Sequence, residues 1–204
     1  MFGHTLTENK TMKPEYEEII RKLEQNDASL TVLNFRQKHL TSEESEAIFK
    51  ALENNVIVTD LQYLGNNSSG EAAKALCEML KKNNTIKQLE LGTNELNSED
   101  IVYIVDGLKG NSSVTTLDLN SNLFDIADPI SDLLEHSIFI EEIDLTNSNV
   151  SDAGFSEIYQ ALQRNENSSL TAFNVYFPQI SCIDDFDNFC RDNARKLGNT
   201  IRPN

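Results

Sequence analysis

A short apolar pattern that returns six times dominates this sequence. Apolar residues occupy positions 1, 4 and 6 of each copy, as in Ile86-x-x-Leu89-x-Leu91. The copies begin at residues 30, 58, 86, 114, 140 and 170, so they are 28, 28, 28, 26 and 30 residues apart. Alternation at positions 4 and 6 predicts a short strand with one buried face. A repeat of this length indicates a solenoid, because one unit buries its apolar face only by stacking on its neighbours.

The second half of each unit has helical periodicity. Thr41 and Glu44 have the spacing of a capping box, and apolar stripes at helical spacing follow the first five strands. These stripes are Ala47, Ile48, Ala51 and Leu52; Ala73, Leu76, Cys77 and Leu80; Ile101, Ile104, Val105 and Leu108; Ile130, Leu133 and Leu134; and Phe155, Ile158, Ala161 and Leu162. The sequence therefore predicts an α/β leucine-rich-repeat solenoid, a short right-handed horseshoe with a concave parallel sheet and convex helices.

An asparagine stands three residues after position 6 in three consecutive copies, as Asn66, Asn94 and Asn122. An asparagine side chain can hydrogen-bond the backbone of the turn that leaves the strand, so stacking the units predicts a ladder of such bonds. Other residues occupy this position in the remaining copies, namely Lys38, Ser148 and Pro178. The ladder is therefore expected in the middle of the stack.

The repeats resemble the ribonuclease-inhibitor type of leucine-rich repeat. Repeats of this type are also found in NOD-like receptors, Ran GTPase activators, tropomodulins and some bacterial effectors. The resemblance covers about residues 29–180 and implies a protein-binding module. Residues 72–89 look like a tropomodulin repeat, and so do residues 173–177 before the C-terminal segment.

Both ends of the stack carry a segment suited to closing it, because an open terminal repeat would expose core side chains. We expect residues 1–28 to form a leader and a capping helix, residues 29–182 to form the repeats with about six strands, and residues 183–204 to form a second capping helix and a tail. The two capping helices are predicted over Pro14–Gln25 and Asp184–Leu197.

Charge limits the classes of partner. The chain has 33 acidic and 17 basic side chains, with a formal net charge of -16. Such a surface repels nucleic acids and anionic lipid headgroups, so we expect neither nucleic-acid nor membrane binding but a protein partner with a basic surface. No signal-peptide stretch begins the sequence. We expect a cytoplasmic monomer, or a protein secreted into a host cytoplasm if it is a bacterial effector.

The outward positions of the strands, numbers 3, 5 and 7 of each copy, are the candidate binding surface. Glu90, Asp118 and Asp144 occupy position 5 of adjacent strands and should form an acidic stripe, with Leu64 and Tyr176 as apolar anchors. The alternative is that this stripe is an ordinary solvated face. The predicted partner-binding residues are Asp60, Gln62, Leu64, Gln88, Glu90, Asp118, Asn120, Glu142, Asp144 and Tyr176.

No catalytic, cofactor or metal site is predicted. A carboxylate pair that cleaves a glycosidic bond needs one buried acid with a raised pKa, and an open sheet face offers no pocket for such an acid. The three histidines are not grouped with cysteines at zinc-binding spacing. Cys77 occupies a core position of a helix. Cys182 and Cys190 could pair across the C-terminal cap, although a reducing compartment favours free thiols.

These observations leave three classes of function open. The first is a non-catalytic interaction module that binds a protein partner on the concave face, and its two specific versions are a host-targeted bacterial effector and an actin-binding tropomodulin-like domain. The second is a GTPase-regulating repeat protein of the Ran-activator type. That role requires an exposed catalytic arginine or asparagine at a repeat turn, and Arg36 is the one arginine at the outward strand positions. The third class is a spacer without a stable partner.

Overall fold

A computed structural model of the chain describes residues 12–66, 69–175 and 183–196. Within these residues, helices and short strands alternate along the chain. The helices are α1 (Pro14–Glu24), α2 (Ser42–Leu52), α3 (Glu71–Lys82), α4 (Ser98–Leu108), α5 (Asp128–His136), α6 (Asp152–Arg164) and α7 (Ile183–Lys196). The strands are β1 (Val32–Asn34), β2 (Asp60–Gln62), β3 (Gln88–Glu90), β4 (Thr116–Asp118), β5 (Glu142–Asp144) and β6 (Ala172–Asn174).

The strands form one parallel sheet in the order of the sequence, from β1 to β6. Equivalent repeat positions pair directly, so that Leu61 lies opposite Leu89 and Leu89 opposite Leu117. This register places the position-4 side chains in a single row, and all of them are buried: Leu33, Leu61, Leu89, Leu117, Ile143 and Phe173. The predicted leucine-rich-repeat fold is confirmed.

The helices lie side by side in a second layer, with each of α1 to α5 packing against the next helix along the chain. A helix with its side chains is about 10 Å wide, whereas adjacent strands are about 4.8 Å apart. The stack must therefore curve, with the sheet on the inside. We call the solvent-facing surface of the sheet the concave face.

Side-chain caps begin several helices. The capping box predicted at Thr41 and Glu44 is present, since the Thr41 hydroxyl accepts from the Glu44 amide and the Glu44 carboxylate accepts from the Thr41 amide. A second capping box, not predicted from the sequence, joins Asn97 and Asp100 at the start of α4. Helix α5 has Ala127 as its N-cap residue, which provides no side-chain cap, and Pro129 lies in the first turn, where proline is tolerated.

The predicted ladder of turn asparagines is confirmed at the edge where the strands end. The Asn94 side chain donates to the Leu91 carbonyl at 2.9 Å and to the Tyr63 carbonyl of the preceding repeat at 3.0 Å. Its Oδ1 accepts from the Asn66 amide at 2.7 Å, and Asn122 accepts from the Asn94 amide in the same way. The Ser148 hydroxyl is buried at the next rung and has no hydrogen-bond partner among the described residues.

A second asparagine ladder lies at the opposite edge, where each helix returns to a strand. The Asn83 side chain donates to the Leu52 and Asn55 carbonyls of the preceding repeat, and its Oδ1 accepts from the Thr85 and Ile86 amides. Three further asparagines donate across the repeats in the same way, namely Asn55, Asn111 and Asn165. The sequence pattern of a single unit does not reveal these links, because the acceptor carbonyls belong to the preceding repeat.

Helices α1 and α7 pack at the ends of the stack. Tyr16 of α1 is buried and meets Phe35 edge to face, with the ring centroids 6.2 Å apart. At the other end the rings of Phe173 and Phe186 stack at 4.1 Å. Apolar side chains of both helices therefore join the core of the repeats.

Cys77 and Cys190 are buried free thiols within the described part of the chain. Burial raises the pKa of the Cys190 thiol to about 12, so the sulfur is protonated and unreactive at neutral pH. Cys182, the predicted neighbour of Cys190, lies outside the described residues, so the alternative of a pair stays a prediction.

Candidate functional site

The concave face gathers the predicted partner-binding residues into three columns across the sheet. Position 3 contributes Asp60, Gln88 and Glu142, position 5 contributes Gln62, Glu90, Asp118 and Asp144, and position 7 contributes Leu64 and Asn120. Gln88 and Glu142 are exposed, and the other seven are partly buried. Tyr176, the tenth predicted residue, lies outside the described residues. The strand register places Glu90 opposite Asp118 and Asp118 opposite Asp144.

The acidic stripe carries a basic side chain at one end. Arg36, which follows β1, extends past β2 and contacts the Glu90 carboxylate, with its Nε 3.0 Å from Glu90 Oε2 and its Nη2 on the same oxygen. The two residues are 54 positions apart in sequence. This ion pair is not apparent from the sequence, because contacts between alternate strands can be identified only when the strand register is known. The stripe is thus neutralised at Glu90.

The other two carboxylates of the stripe accept hydrogen bonds from the turns that follow their strands. Asp118 Oδ1 accepts from the Asn120 amide at 2.8 Å and from Asn120 Nδ2 at 2.6 Å. Asp144 Oδ1 accepts from the Thr146 amide at 2.8 Å. Gly92 provides the space for this arrangement, since a Cβ there would lie 2.5 Å from Asn120 Nδ2. These contacts fix the orientation of both carboxylates.

Asp118 is partly buried, although it lies on an open sheet face. Burial raises the pKa of Asp118, hydrogen bonds from Asn120 oppose that rise, and the neighbouring charges of Asp144 and Glu90 add to it. The Asn120 side chain is one of the groups in contact with this carboxylate. The charge of Asp118 is therefore held at a cost in stability.

We expect Asp118→Asn to stabilise the protein at neutral pH. The amide keeps an acceptor for Asn120 but removes the desolvated charge. A carboxyl whose folded-state pKa is raised lowers stability as the pH rises above its unfolded value of about 3.9, so the advantage of the variant should disappear below that pH. Thermal unfolding at neutral and acidic pH checks this prediction.

Glu157→Gln, at an exposed carboxylate of α6, is the control, and its melting temperature should differ little from that of the parent at either pH. Equal melting temperatures of Asp118→Asn and the parent at neutral pH would contradict the assignment.

Carboxylates and amides of the concave face are held by contacts from neighbouring strands and turns. The predicted residues that the structure describes lie on or just after β2 to β5 and do not converge on one point. Among the described residues, no group of three or more His, Cys, Asp or Glu side chains is placed to hold a metal ion. In the same part of the chain, no helix combines the length and apolar composition needed to cross a bilayer.

Comparison with known proteins places this architecture in a family. The family model of the TMOD/LMOD leucine-rich domain matches residues 9–123, more than half of the 204 residues. The structure of leiomodin-1 actin-binding site 2 is similar with a TM-score of 0.58 and 20% identity, over 92% of this chain and 95% of that one. The tropomodulin C-terminal domain from Caenorhabditis elegans is similar with a TM-score of 0.58 and 15% identity, over 90% and 96%. No curated protein sequence matches the chain.

The two structural likenesses support the fold, and the family match covers the N-terminal cap and the first four strands, including the turn asparagines Asn66, Asn94 and Asn122. The resemblance to tropomodulin repeats noted over residues 72–89 lies within the matched segment. The chain belongs to the tropomodulin/leiomodin family of leucine-rich domains.

Proposed function

We propose that this chain is a non-catalytic, cytoplasmic actin-binding module. The observation that carries the proposal is the family match through residue 123, together with the likeness of nearly the whole chain to a leiomodin domain described as an actin-binding site. The actin-binding alternative of the sequence analysis is thereby favoured over the host-targeted effector. The GTPase-regulating alternative loses support, because Arg36, the arginine it relied on, contacts Glu90.

We further propose that the concave face contacts the partner through a basic patch on the partner's surface. Three features support this site: the net charge of -16, the fixed orientation of Asp118 and Asp144, and the exposure of Gln88 and Glu142 beside them. Side chains that are already held in place lose little conformational entropy on binding. Tyr176 stays a predicted apolar anchor of this surface.

Direct binding to purified actin tests the function. We expect the chain to bind actin, as monomers or as sedimented filaments, under conditions in which the leiomodin-1 domain also binds. The leiomodin domain is the positive control, and a heat-denatured sample of this chain is the negative control. Absence of binding to both forms of actin, while the leiomodin domain binds, would overturn the proposal.

Charge removal on the concave face tests the location of the site. The triple variant Glu90→Gln, Asp118→Asn and Asp144→Asn removes three charges but keeps the acceptors, so we expect folding to persist and actin affinity to fall about tenfold or more, as for loss of oriented charge pairs. Titration of labelled actin measures this.

The matched control removes three exposed carboxylates from helices of the convex layer, by Glu17→Gln, Glu46→Gln and Glu157→Gln. Both triple variants change the net charge equally. Affinity lost only by the concave variant supports the site. Equal losses would indicate a general charge effect, and loss only by the control would move the site to the helices; either result contradicts the assignment.

A further inference from the structure

A cleft between α4 and α5 interrupts the otherwise regular helix layer. Helix α5 has 9 residues, against 11 in α4 and 13 in α6. It belongs to the unit that is 26 instead of 28 residues long, and it packs more sparsely against α4 than α3 does. Gly107 of α4 faces α3, where a Cβ would lie 2.8 Å from the Cys77 carbonyl oxygen. Close approach is therefore built into the α3–α4 contact, and α5 stands further off.

The cleft consists of two depressions of about 400 Å³ and 410 Å³ that share Lys109 and Asp132. Its apolar lining residues are Val102, Val105 and Leu108 on α4, and Pro129, Leu133 and Phe139 on or just after α5. Val102 is 47% exposed and Phe139 is 39% exposed. One large apolar side chain is therefore exposed in each depression, where it can be covered by a partner.

Acidic groups flank this apolar floor. Asp106, Asp128 and Asp132 line the cleft, and Lys109 is the one basic side chain among the described lining residues apart from His136. Asp106 is paired with Lys81, whose Nζ lies 2.9 Å from Asp106 Oδ2. Asp132 is paired with Lys109 at 2.7 Å, and His136 Nδ1 lies 3.3 Å from its other oxygen. Asp128 is exposed at the start of α5. An occupant that is apolar along its centre and basic along its edges fits this lining.

We propose that the α4–α5 cleft binds an amphipathic, basic helical segment of a second protein partner. An apolar stripe of such a helix would cover Val102 and Phe139, and flanking lysines or arginines would meet Asp128 and Asp132. A basic group that reaches Asp132 displaces Lys109 from its ion pair. The surface lies on the convex side, away from the concave face, and its second wall, α5, begins after the last residue of the family match.

The probe is a Leu/Lys peptide of about 18 residues with one apolar stripe, long enough for a stable helix of about five turns. A Leu/Glu peptide with the same stripe is its control. We expect the full chain to bind the Leu/Lys peptide at physiological salt, measured by fluorescence anisotropy, and not to bind the Leu/Glu peptide. Failure to discriminate between the peptides would overturn the proposal.

Val102→Ser and Phe139→Ser remove apolar surface without altering charge, so each should weaken peptide binding about tenfold. Val56→Ser is the matched control, because Val56 is 64% exposed but lies before β2, outside the cleft. Thermal unfolding verifies folding, and Val102→Ser decides the result if Phe139→Ser does not fold. Equal weakening by Val56→Ser, or none by Val102→Ser, would contradict the site.

Lys109→Ala supplies a test in the opposite direction. Removal of the competing Lys109 ammonium makes Asp132 more available to the peptide, so we expect severalfold tighter binding. If the ion pair merely supports the fold, peptide affinity should not increase.

Actin binding separates this proposal from the proposed function. Val102→Ser should leave actin affinity unchanged, and a parallel loss of actin and peptide binding would overturn the assignment of a second partner.

Discussion

Leu117→Ala should lower the free energy of unfolding by about 2–5 kcal/mol, the range found when a buried leucine is truncated in a packed core. Leu117 is fully buried at position 4 of β4 and lies between Leu89 and Ile143 in the row of inward-facing side chains. The strands on both sides are fixed by parallel pairing, so the surrounding structure can collapse only partly into the space. Denaturant unfolding measures the loss.

Thr116→Ala is the control for Leu117→Ala. Thr116 precedes Leu117 on the same strand but points to the concave face, where it is only partly buried. We expect this variant to unfold within about 0.5 kcal/mol of the parent, as surface substitutions usually do. Similar losses for both variants, or an unchanged midpoint for Leu117→Ala, would show that position 4 does not face the core.

Asn94→Ala should destabilise the protein by about 1–3 kcal/mol, because it leaves buried backbone groups without partners. Asn94 is fully buried, donates to the Tyr63 and Leu91 carbonyls, and accepts from the Asn66 amide. One side chain therefore joins two successive repeats. Hydrogen exchange should show faster exchange of the Asn66 amide, in addition to the lower unfolding midpoint.

Asn84→Ala is the control for Asn94→Ala, because it removes an asparagine that does not take part in the ladder. Asn84 is exposed and makes one local hydrogen bond, from its Nδ2 to the Lys82 carbonyl at 3.1 Å. We expect its replacement to change stability little. If Asn84→Ala and Asn94→Ala unfold alike, the cross-repeat bonds of Asn94 contribute nothing measurable and the ladder is only a geometric coincidence.

The core was predicted well along each strand and less completely along the helices. Phe49 and Met79 are fully buried, yet neither belongs to the stripes derived from the sequence, whereas Ala47 and Ala51 of the predicted stripe are only partly buried. A helix in this layer buries a face against the sheet and also sides against the helices before and after it. A single apolar stripe describes only the first of these contacts.

The sequence reduced the candidate functions to a small number of classes, but it did not select one of them. Actin binding stood among the alternatives because residues 72–89 resemble tropomodulin repeats, while the acidic composition favoured a more general basic partner. Composition describes the average surface, whereas recognition depends on which side chains a fold brings together. The family match, and not the charge, raised the actin-binding alternative above the others.

The repeat period by itself determined the architecture of this protein. Each unit of about 28 residues carries one strand and one helix whose apolar faces can be buried only by stacking, so the fold is encoded locally and repeatedly. Only the tertiary structure decided which charged side chains form contacts and where adjacent helices pack less closely. Arg36 contacts Glu90 across β2, and Asp118 is partly buried. A cleft lies between α4 and the short helix α5. These features depend on register and on distances between layers, which the pattern of a single repeat does not contain.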